Sequence, residues 1–212
     1  FEKWSFVGFF VSQFFIGMNQ DTVRLSHKLM WWFHAFLAMG FIAYIPWSRL
    51  VHMVTSPANQ FMKTLKPVGS LEPIRDFETA ESFGVGKLDE FTWKQIFDSD
   101  ACTRCGRCQD GCPAYLTGKH LSPKQMVQDI KDHWLERAPV VFAALQTPGP
   151  EGTPQIPEPE KSLINDAVSV ESIWDCTNCM YSMEHCPVYI EHVPKIVDMR
   201  RYKVLMEADF AP

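Results

Sequence analysis

Seven cysteines fall into two short runs, CTRCGRCQDGCP (102–113) and CTNCMYSMEHCP (176–187), and none lies elsewhere in the chain. The first run is a complete C-x2-C-x2-C-x3-C-P. Thiolates at that spacing let one tight loop wrap three corners of an iron–sulfur cluster, while the fourth cysteine, in the two-cluster arrangement, ligates the other cluster. The proline ends the loop and starts a helix leading away, and Gly106 is expected to relieve crowding beside the cluster. The second run keeps Cys176, Cys179, Cys186 and Pro187 but has Ser182 at the third cysteine position. Crossed ligation then assigns every thiol. Cys102, Cys105, Cys108 and Cys186 form a full [4Fe–4S] site; Cys112, Cys176 and Cys179 form a second site with an open corner at Ser182. That second cluster is [3Fe–4S], or [4Fe–4S] with a non-cysteine ligand from Ser182, His185 or a group outside this chain.

Structural zinc uses the same residue type, but zinc sites pair two C-x2-C knuckles across a gap and do not place three thiolates in one loop before C-P. An empty second site would leave Cys112 and Cys186 without part of their use. A disulfide framework is disfavoured too, because thiols this closely clustered suit metal and point to a reducing compartment.

The elements around these runs read as helices. FTWKQIFDSDA leads into the first run with Thr92 as cap, and LSPKQMVQDIKDHWLERA starts with Ser122 as N-cap and Pro123 at the first helical position. Val127, Ile130, Trp134 and Leu135 give it one apolar face. QTPGPEGTPQIPEPEK (146–161) reads as a proline-rich exposed loop, SVESIWD as a short helix capped by Ser169, and residues 193–207 as a final helix. There is little strand signal.

The composition is uneven. Phe, Trp, Met, Ile, Val and Ala dominate residues 1–54, and the remainder reads as an ordinary soluble sequence. The net charge of −5 and the lack of a basic stripe with interleaved aromatics set nucleic acid aside as a partner. WSFVGFFVSQFFIGM (4–18) is apolar but short of the roughly 20 residues a span needs. NQDTVRLSHK (19–28) reads as a polar turn. LMWWFHAFLAMGFIAYIPWSRLVHMV (29–54) is long enough to cross, with Trp31, Trp32 and Trp47 as interfacial anchors and Pro46 as a kink. The expected architecture is all-α: a transmembrane helical hairpin over 1–54, part of a larger bundle, a connector over 55–90, and an α-helical two-cluster ferredoxin domain over 91–212. Arg24, Lys28, Arg49, Lys63 and Lys66 give a weak orientation signal, whereas the cluster cysteines put the ferredoxin domain on the cytoplasmic side. Phe1 lies inside an apolar run, so the chain reads as an internal piece of a longer polypeptide.

His34 and His52 stand 18 residues apart in the second apolar segment, five turns of one helix, with both imidazoles on one face about 27 Å apart. Imidazoles at two depths of one membrane helix are what two stacked b-type haems require, each with a second axial histidine from another helix. Polar groups inside a span are functional by default; the competing reading makes both histidines interfacial or packing residues. His120, His133 and His192 read as surface or structural.

The cysteine-bearing half resembles the helical two-cluster module of heterodisulfide reductase and succinate dehydrogenase iron–sulfur subunits. The segment with His34 and His52 looks like the last helix of the nitrate reductase gamma-subunit family. CTRCGRCQDGCPAYLTGKHLSPK and CPVYIEHVPKIVDMRRYKVLMEADF resemble fusions of that cytochrome b with a heterodisulfide-reductase-like iron–sulfur protein. The resemblance implies membrane helices before Phe1, a region with CCG motifs after Pro212, and two b haems on His34 and His52. It also implies menaquinone as membrane substrate, contact with lipid and quinone, possible further subunits, and a cytoplasmic electron donor. Electron transfer flavoprotein ranks first as that donor, a thiol/disulfide pair second. Ser182 departs from the family pattern and leaves the second cluster's type open.

The combined reading is a quinone-linked oxidoreductase of the cytoplasmic membrane, multi-pass, in which this chain carries a redox relay. It shows no acid, base or nucleophile to name as catalytic. The alternatives are a haem-free membrane-tethered ferredoxin subunit and a zinc-stabilised membrane adaptor.

Overall fold

A computed structural model describes residues 4–74, 77–80, 82–147 and 156–211. Among these the chain is helical, with one isolated bridge between Ile164 and Val168, so the all-α expectation holds. Two compact units, Phe1–Val51 and His52–Pro212, divide it.

In the first unit, helix α1 (Phe6–Ser12) runs on as a 3-10 turn to Phe15, and helix α2 spans Gln20–Tyr44. The polar stretch 19–28, expected as a turn, is instead the start of α2. Asn19 Oδ1 accepts a hydrogen bond from the Asp21 amide at 3.1 Å, and Asp21 places its charge in the first turn, where the helix dipole favours it. With its 3-10 extension to Trp47, this is the one helix among the described residues long and apolar enough to cross a bilayer. Trp31, Trp32, Phe33, Phe36 and Leu37 are all exposed on it, whereas a soluble core helix would cover its apolar face. Phe6–Phe15 is apolar but short. The expected hairpin is therefore observed as one helix of spanning length and one short apolar helix.

The second apolar segment was expected to run, kinked, to Val54; it breaks. Pro46 sits in the 3-10 turn Ile45–Trp47, and Ser48 then turns extended, with φ −115° and ψ 172°. Ser48 Oγ donates to the Ile45 carbonyl at 3.0 Å and accepts from the Leu50 amide at 3.1 Å, satisfying groups that the break exposes. After a 3-10 turn over Arg49–Val51, a new helix, α3 (His52–Phe61), begins. His34 and His52 thus lie on different helices in different units, and the premise of five continuous turns between them is withdrawn.

The second unit contains α3 and α4 (Trp93–Ala101), α5 (Arg107–Asp110), α6 (Pro113–Leu116), α7 (Pro123–Gln146), α8 (Val170–Asp175), α9 (Tyr181–Glu184) and α10 (His192–Leu205). The expected caps are present: Thr92, Ser122 and Ser169 each accept a backbone N–H three residues on. Helix α7 passes through Pro139 to Gln146, further than its sequence signal reaches. Its inner face is Met126, Val127 and Ile130 with Trp134 partly buried, while Leu135 is exposed. The start of the 55–90 connector, expected to be extended, is α3, with Ser56 and Asn59 buried. Of the proline-rich loop expected over 146–161, residues 148–155 lie outside the described residues.

One buried carboxylate joins these helices. Asp98 Oδ2 accepts from Lys195 Nζ at 2.5 Å and from the Glu191 amide at 3.1 Å. Asp98 Oδ1 accepts from Lys94 Nζ at 2.7 Å and Asn59 Nδ2 at 2.9 Å. The side chains of Asp98 and Lys195 are both wholly inaccessible to solvent. Burial alone would raise the carboxyl's pKa; the Lys195 and Lys94 charges outweigh it and hold Asp98 below the usual range.

Asp98→Ala strands Lys195 as a buried unpaired cation and is expected to cost about 3–5 kcal/mol, read as a fall in denaturant midpoint; a cost below about 1 kcal/mol would refute the hub. Because its folded pKa is depressed, Asp98 contributes fully above its unfolded pKa of about 3.9. That contribution is lost as the pH falls through the lower folded value, so Asp98→Asn should flatten this part of the acid limb.

Candidate functional site

The two cysteine runs repeat in backbone as well as in spelling. Helix α4 ends at Ala101 and Cys102 turns extended with φ −64° and ψ 116°; helix α8 ends at Asp175 and Cys176 does the same with φ −67° and ψ 120°. Two residues on, Arg104 (φ 57°) and Asn178 (φ 54°) are left-handed, and two further on so are Gly106 (φ 87°) and Met180 (φ 63°). Each of the latter starts a four-residue helix, α5 or α9, which carries the third ligand position, Cys108 or Ser182. Gly106 serves this turn with a φ that glycine adopts freely, and no protein atom lies within 3.9 Å of where its Cβ would be. The crowded glycine is Gly111, where a Cβ would lie 2.2 Å from the ring of Tyr181 on α9.

The runs line two cavities of nearly equal size. Cys102, Cys105, Cys108 and Cys186 line one of about 20 Å³. Cys112, Cys176, Cys179 and Ser182 line the other, also of about 20 Å³, together with Leu121, Val193 and Ile196. Each run therefore gives its fourth cysteine to the other run's cavity. Ser182 is buried against its cavity. His185, the other expected donor, is exposed, stacks on Tyr181 at 3.9 Å with its Nδ1 3.2 Å from the Tyr181 carbonyl, and does not line the cavity.

The donor set fits iron–sulfur clusters. The backbone N–H groups of Arg104 and Asn178, set by their left-handed turns, are directed at Cys102 and Cys176, and the Ile190 amide donates to Cys186 Sγ at 3.3 Å. Such donors suit sulfur that carries negative charge. Burial pushes the Cys102, Cys108, Cys176 and Cys186 thiols up, Cys108 to about 12, and neighbouring cysteines add to the effect. Thiolates crowded in this way need the positive charge of bound metal to coexist. Among the described residues no three His, Cys, Asp or Glu side chains converge on a single-ion site; the cysteines stand around the rims of cavities.

Two residues escaped the sequence reading. His192, read there as surface or structural, is almost fully buried and lines the first cavity, its Nδ1 3.0 Å from the Ile190 carbonyl. Burial pushes its pKa down to about 4, so it is neutral at pH 7. Arg200, half-buried beside the second run, donates to carbonyls at the end of α8. Neither sits in a local motif; both come from α10, which only tertiary packing brings to the site. His34 lies within α2 and His52 at the start of α3, so the structure does not bring the expected haem ligands together on one element.

Residues 101–191 match the family model of the 4Fe-4S dicluster domain, which implies two [4Fe–4S] clusters. The chain is 42% identical over 213 residues to the EtfAB:quinone oxidoreductase of Syntrophomonas wolfei, covering 95% of this chain and 30% of that protein. It is 37% identical over 213 residues to the probable iron-sulfur-binding oxidoreductase FadF of Bacillus subtilis, covering 90% and 30% respectively. Over 137 residues it is 37% identical to a probable membrane-anchored ferredoxin of Chromohalobacter salexigens, covering 62% of this chain and 20% of the relative. The chain thus spans about a third of the length of the first two relatives. No solved structure matches it.

Crossed ligation makes the two proline-adjacent cysteines diagnostic. Cys186→Ala should remove the signal of the cluster held by the first run, and Cys112→Ala that of the second, each with loss of roughly half the iron and acid-labile sulfide. Iron analysis with EPR of the reduced protein distinguishes this from ligation within each run, which would reverse the two outcomes.

Proposed function

We propose that this chain is the membrane-anchoring, cluster-bearing part of an iron–sulfur oxidoreductase that passes electrons between a cytoplasmic donor and quinone in the cytoplasmic membrane. One observation carries the reading: a unit with two cysteine-lined cavities follows directly, at His52, on a helix of spanning length. The name of the Syntrophomonas relative favours electron transfer flavoprotein and a quinone as the two redox partners; the family resemblance narrows the quinone to menaquinone. A thiol/disulfide donor is the second choice. Thiols held for metal in a reducing compartment favour the cytoplasmic side for the cluster unit.

When bound, the clusters supply one-electron carriers. This chain's residues hold and shield them. Cys102, Cys105, Cys108 and Cys186 ligate the first; Cys112, Cys176 and Cys179 ligate the second, with Leu121, Val193 and Ile196 excluding water. Ser182 is buried and lines this cavity beside the three cysteines, so we read the second cluster as [4Fe–4S] with serine oxygen as fourth ligand, and [3Fe–4S] as the form left when that iron is lost.

Haem b on His34 and His52 belongs to the same proposal. With their single-helix phase withdrawn, its support is the family resemblance and His34's place within the spanning helix. The break before His52 and the relative described as a membrane-anchored ferredoxin favour a second reading, a haem-free tethered relay.

In membranes holding the full-length protein, reduced electron transfer flavoprotein should reduce menaquinone, and Cys105→Ser should slow this at least tenfold; an unchanged rate would sink the relay. A reduced-minus-oxidised haem b band that His34→Ala roughly halves supports haem; its absence from the purified wild type selects the tethered ferredoxin. For the second cluster, the oxidised protein should gain a [3Fe–4S] EPR signal on mild oxidation, and Ser182→Cys should suppress it. A wild type that resists this conversion as fully as Ser182→Cys contradicts the serine-ligated corner.

A further inference from the structure

The backbone repeat exposes an electrostatic difference between the two sites. Each run leaves the C-terminal end of a helix, where orphan carbonyls present negative partial charge to the first cysteine of the run. At the end of α4 those carbonyls meet neutral hydroxyls from α3: Thr55 Oγ1 donates to Asp100 O at 3.0 Å and Ser56 Oγ to Ala101 O at 2.9 Å. At the end of α8 they meet a cation. Arg200 Nε donates to Ile173 O at 3.0 Å, and Nη2 donates to Ile173 O at 2.7 Å, Trp174 O at 3.2 Å and Cys176 O at 2.5 Å. Nη1 reaches Asn178 Oδ1 at 3.2 Å, and the guanidinium lies 5.3 Å from the centre of the Trp174 ring.

No carboxylate among the described residues forms an ion pair with Arg200, although every neighbouring cation of α10 has one: Lys195 with Asp98, Arg201 with Asp198, Lys203 with Glu207. The cluster ligand Cys176 is bound to Arg200 through its own carbonyl. At the first site the cation beside the helix end, Lys131, is already paired with Asp100 at 3.1 Å, while Arg104, exposed, and Lys124, half-buried, line the cavity itself. A half-buried charge is screened far less than an exposed one.

We infer that Arg200 is the counter-charge of the second cluster, a positioning residue that holds the Cys176 turn and raises that cluster's reduction potential. Reduction adds one negative charge to the cluster, and a fixed cation bound to the carbonyl of its ligand Cys176 favours the reduced form over the oxidised one. Arg200 thereby makes the second cluster the better electron acceptor than its ligands alone would make it. This rests on the two-cluster reading above.

The test is an EPR-monitored redox titration of the full-length protein after iron and sulfide analysis has established two clusters in the wild type; a wild type with one cluster overturns the two-cluster reading before Arg200 is reached. Arg200→Gln keeps donors to the carbonyls and removes the charge; Arg200→Lys keeps the charge and loses the fork. The expected result is that Arg200→Gln lowers the second cluster's midpoint by at least 59 mV, a tenfold change in its one-electron equilibrium. Arg200→Lys should stay near the wild type, and the first cluster should be unchanged in both. A second cluster that titrates alike in Arg200→Gln and wild type refutes the inference, as does an equal shift in both variants. Loss of the second cluster from both variants also refutes it, by reducing Arg200 to a helix cap.

Discussion

The buried Asp98 carboxylate is the constraint on which the cluster unit depends. Its four donors come from α3, α4, the loop after the second run and α10. Two of these segments are more than 90 residues from Asp98 in the chain. Asn59, while bound to Asp98, also donates to the Val188 carbonyl at 2.8 Å, two residues past Cys186. The carboxylate therefore ties the helix that enters the first run to the segment that leaves the second, and this is the juxtaposition that crossed ligation requires. A metal-free chain has its thiols raised by burial and mutual repulsion and cannot be held together by them. The hub, by contrast, is satisfied by protein groups alone.

The same hub explains where sequence reading succeeded. Cysteine spacing is a local property, and the division of seven thiols into four and three reappears as the linings of two cavities. Caps are local as well: Thr92, Ser122 and Ser169 each needed only a hydroxyl placed before an amide that would otherwise lack a partner. Asp98, Lys195, His192 and Arg200 left no such trace. Each is a charged or titratable residue in an ordinary helix, and its role comes from burial against segments distant in sequence. Burial of this kind has no periodicity to read.

The apolar end misled for a different reason. Polar residues 19–28 looked like a turn because they interrupt hydrophobicity, yet a single capping asparagine is enough to begin a helix there. Hydropathy marks where a helix meets lipid, not where it starts. Conversely Pro46 was read as a kink, which a membrane helix tolerates, but Ser48 supplies both a donor and an acceptor to the freed backbone and turns the kink into an end. The break also frees α3 to join the cluster unit, where Thr55, Ser56 and Asn59 all bond to the other helices.

A shared backbone with unequal contents is the more general property of the site. The two runs follow the same sequence of extended, left-handed and helical turns, so the loops are interchangeable as cradles. What differs is placed where it does not alter the path: serine for cysteine on the third ligand position, a guanidinium for two hydroxyls behind the first. Met180 takes the left-handed turn that Gly106 takes in the first run, a conformation that costs an L-residue about 1–2 kcal/mol. The second run bears that strain and still keeps the geometry of the first. A fold that holds the path constant by packing Tyr181 over Gly111 is free to vary ligand and charge at one cavity without disturbing the other. Two carriers of one shape can then differ in affinity for an electron, and a relay requires that difference.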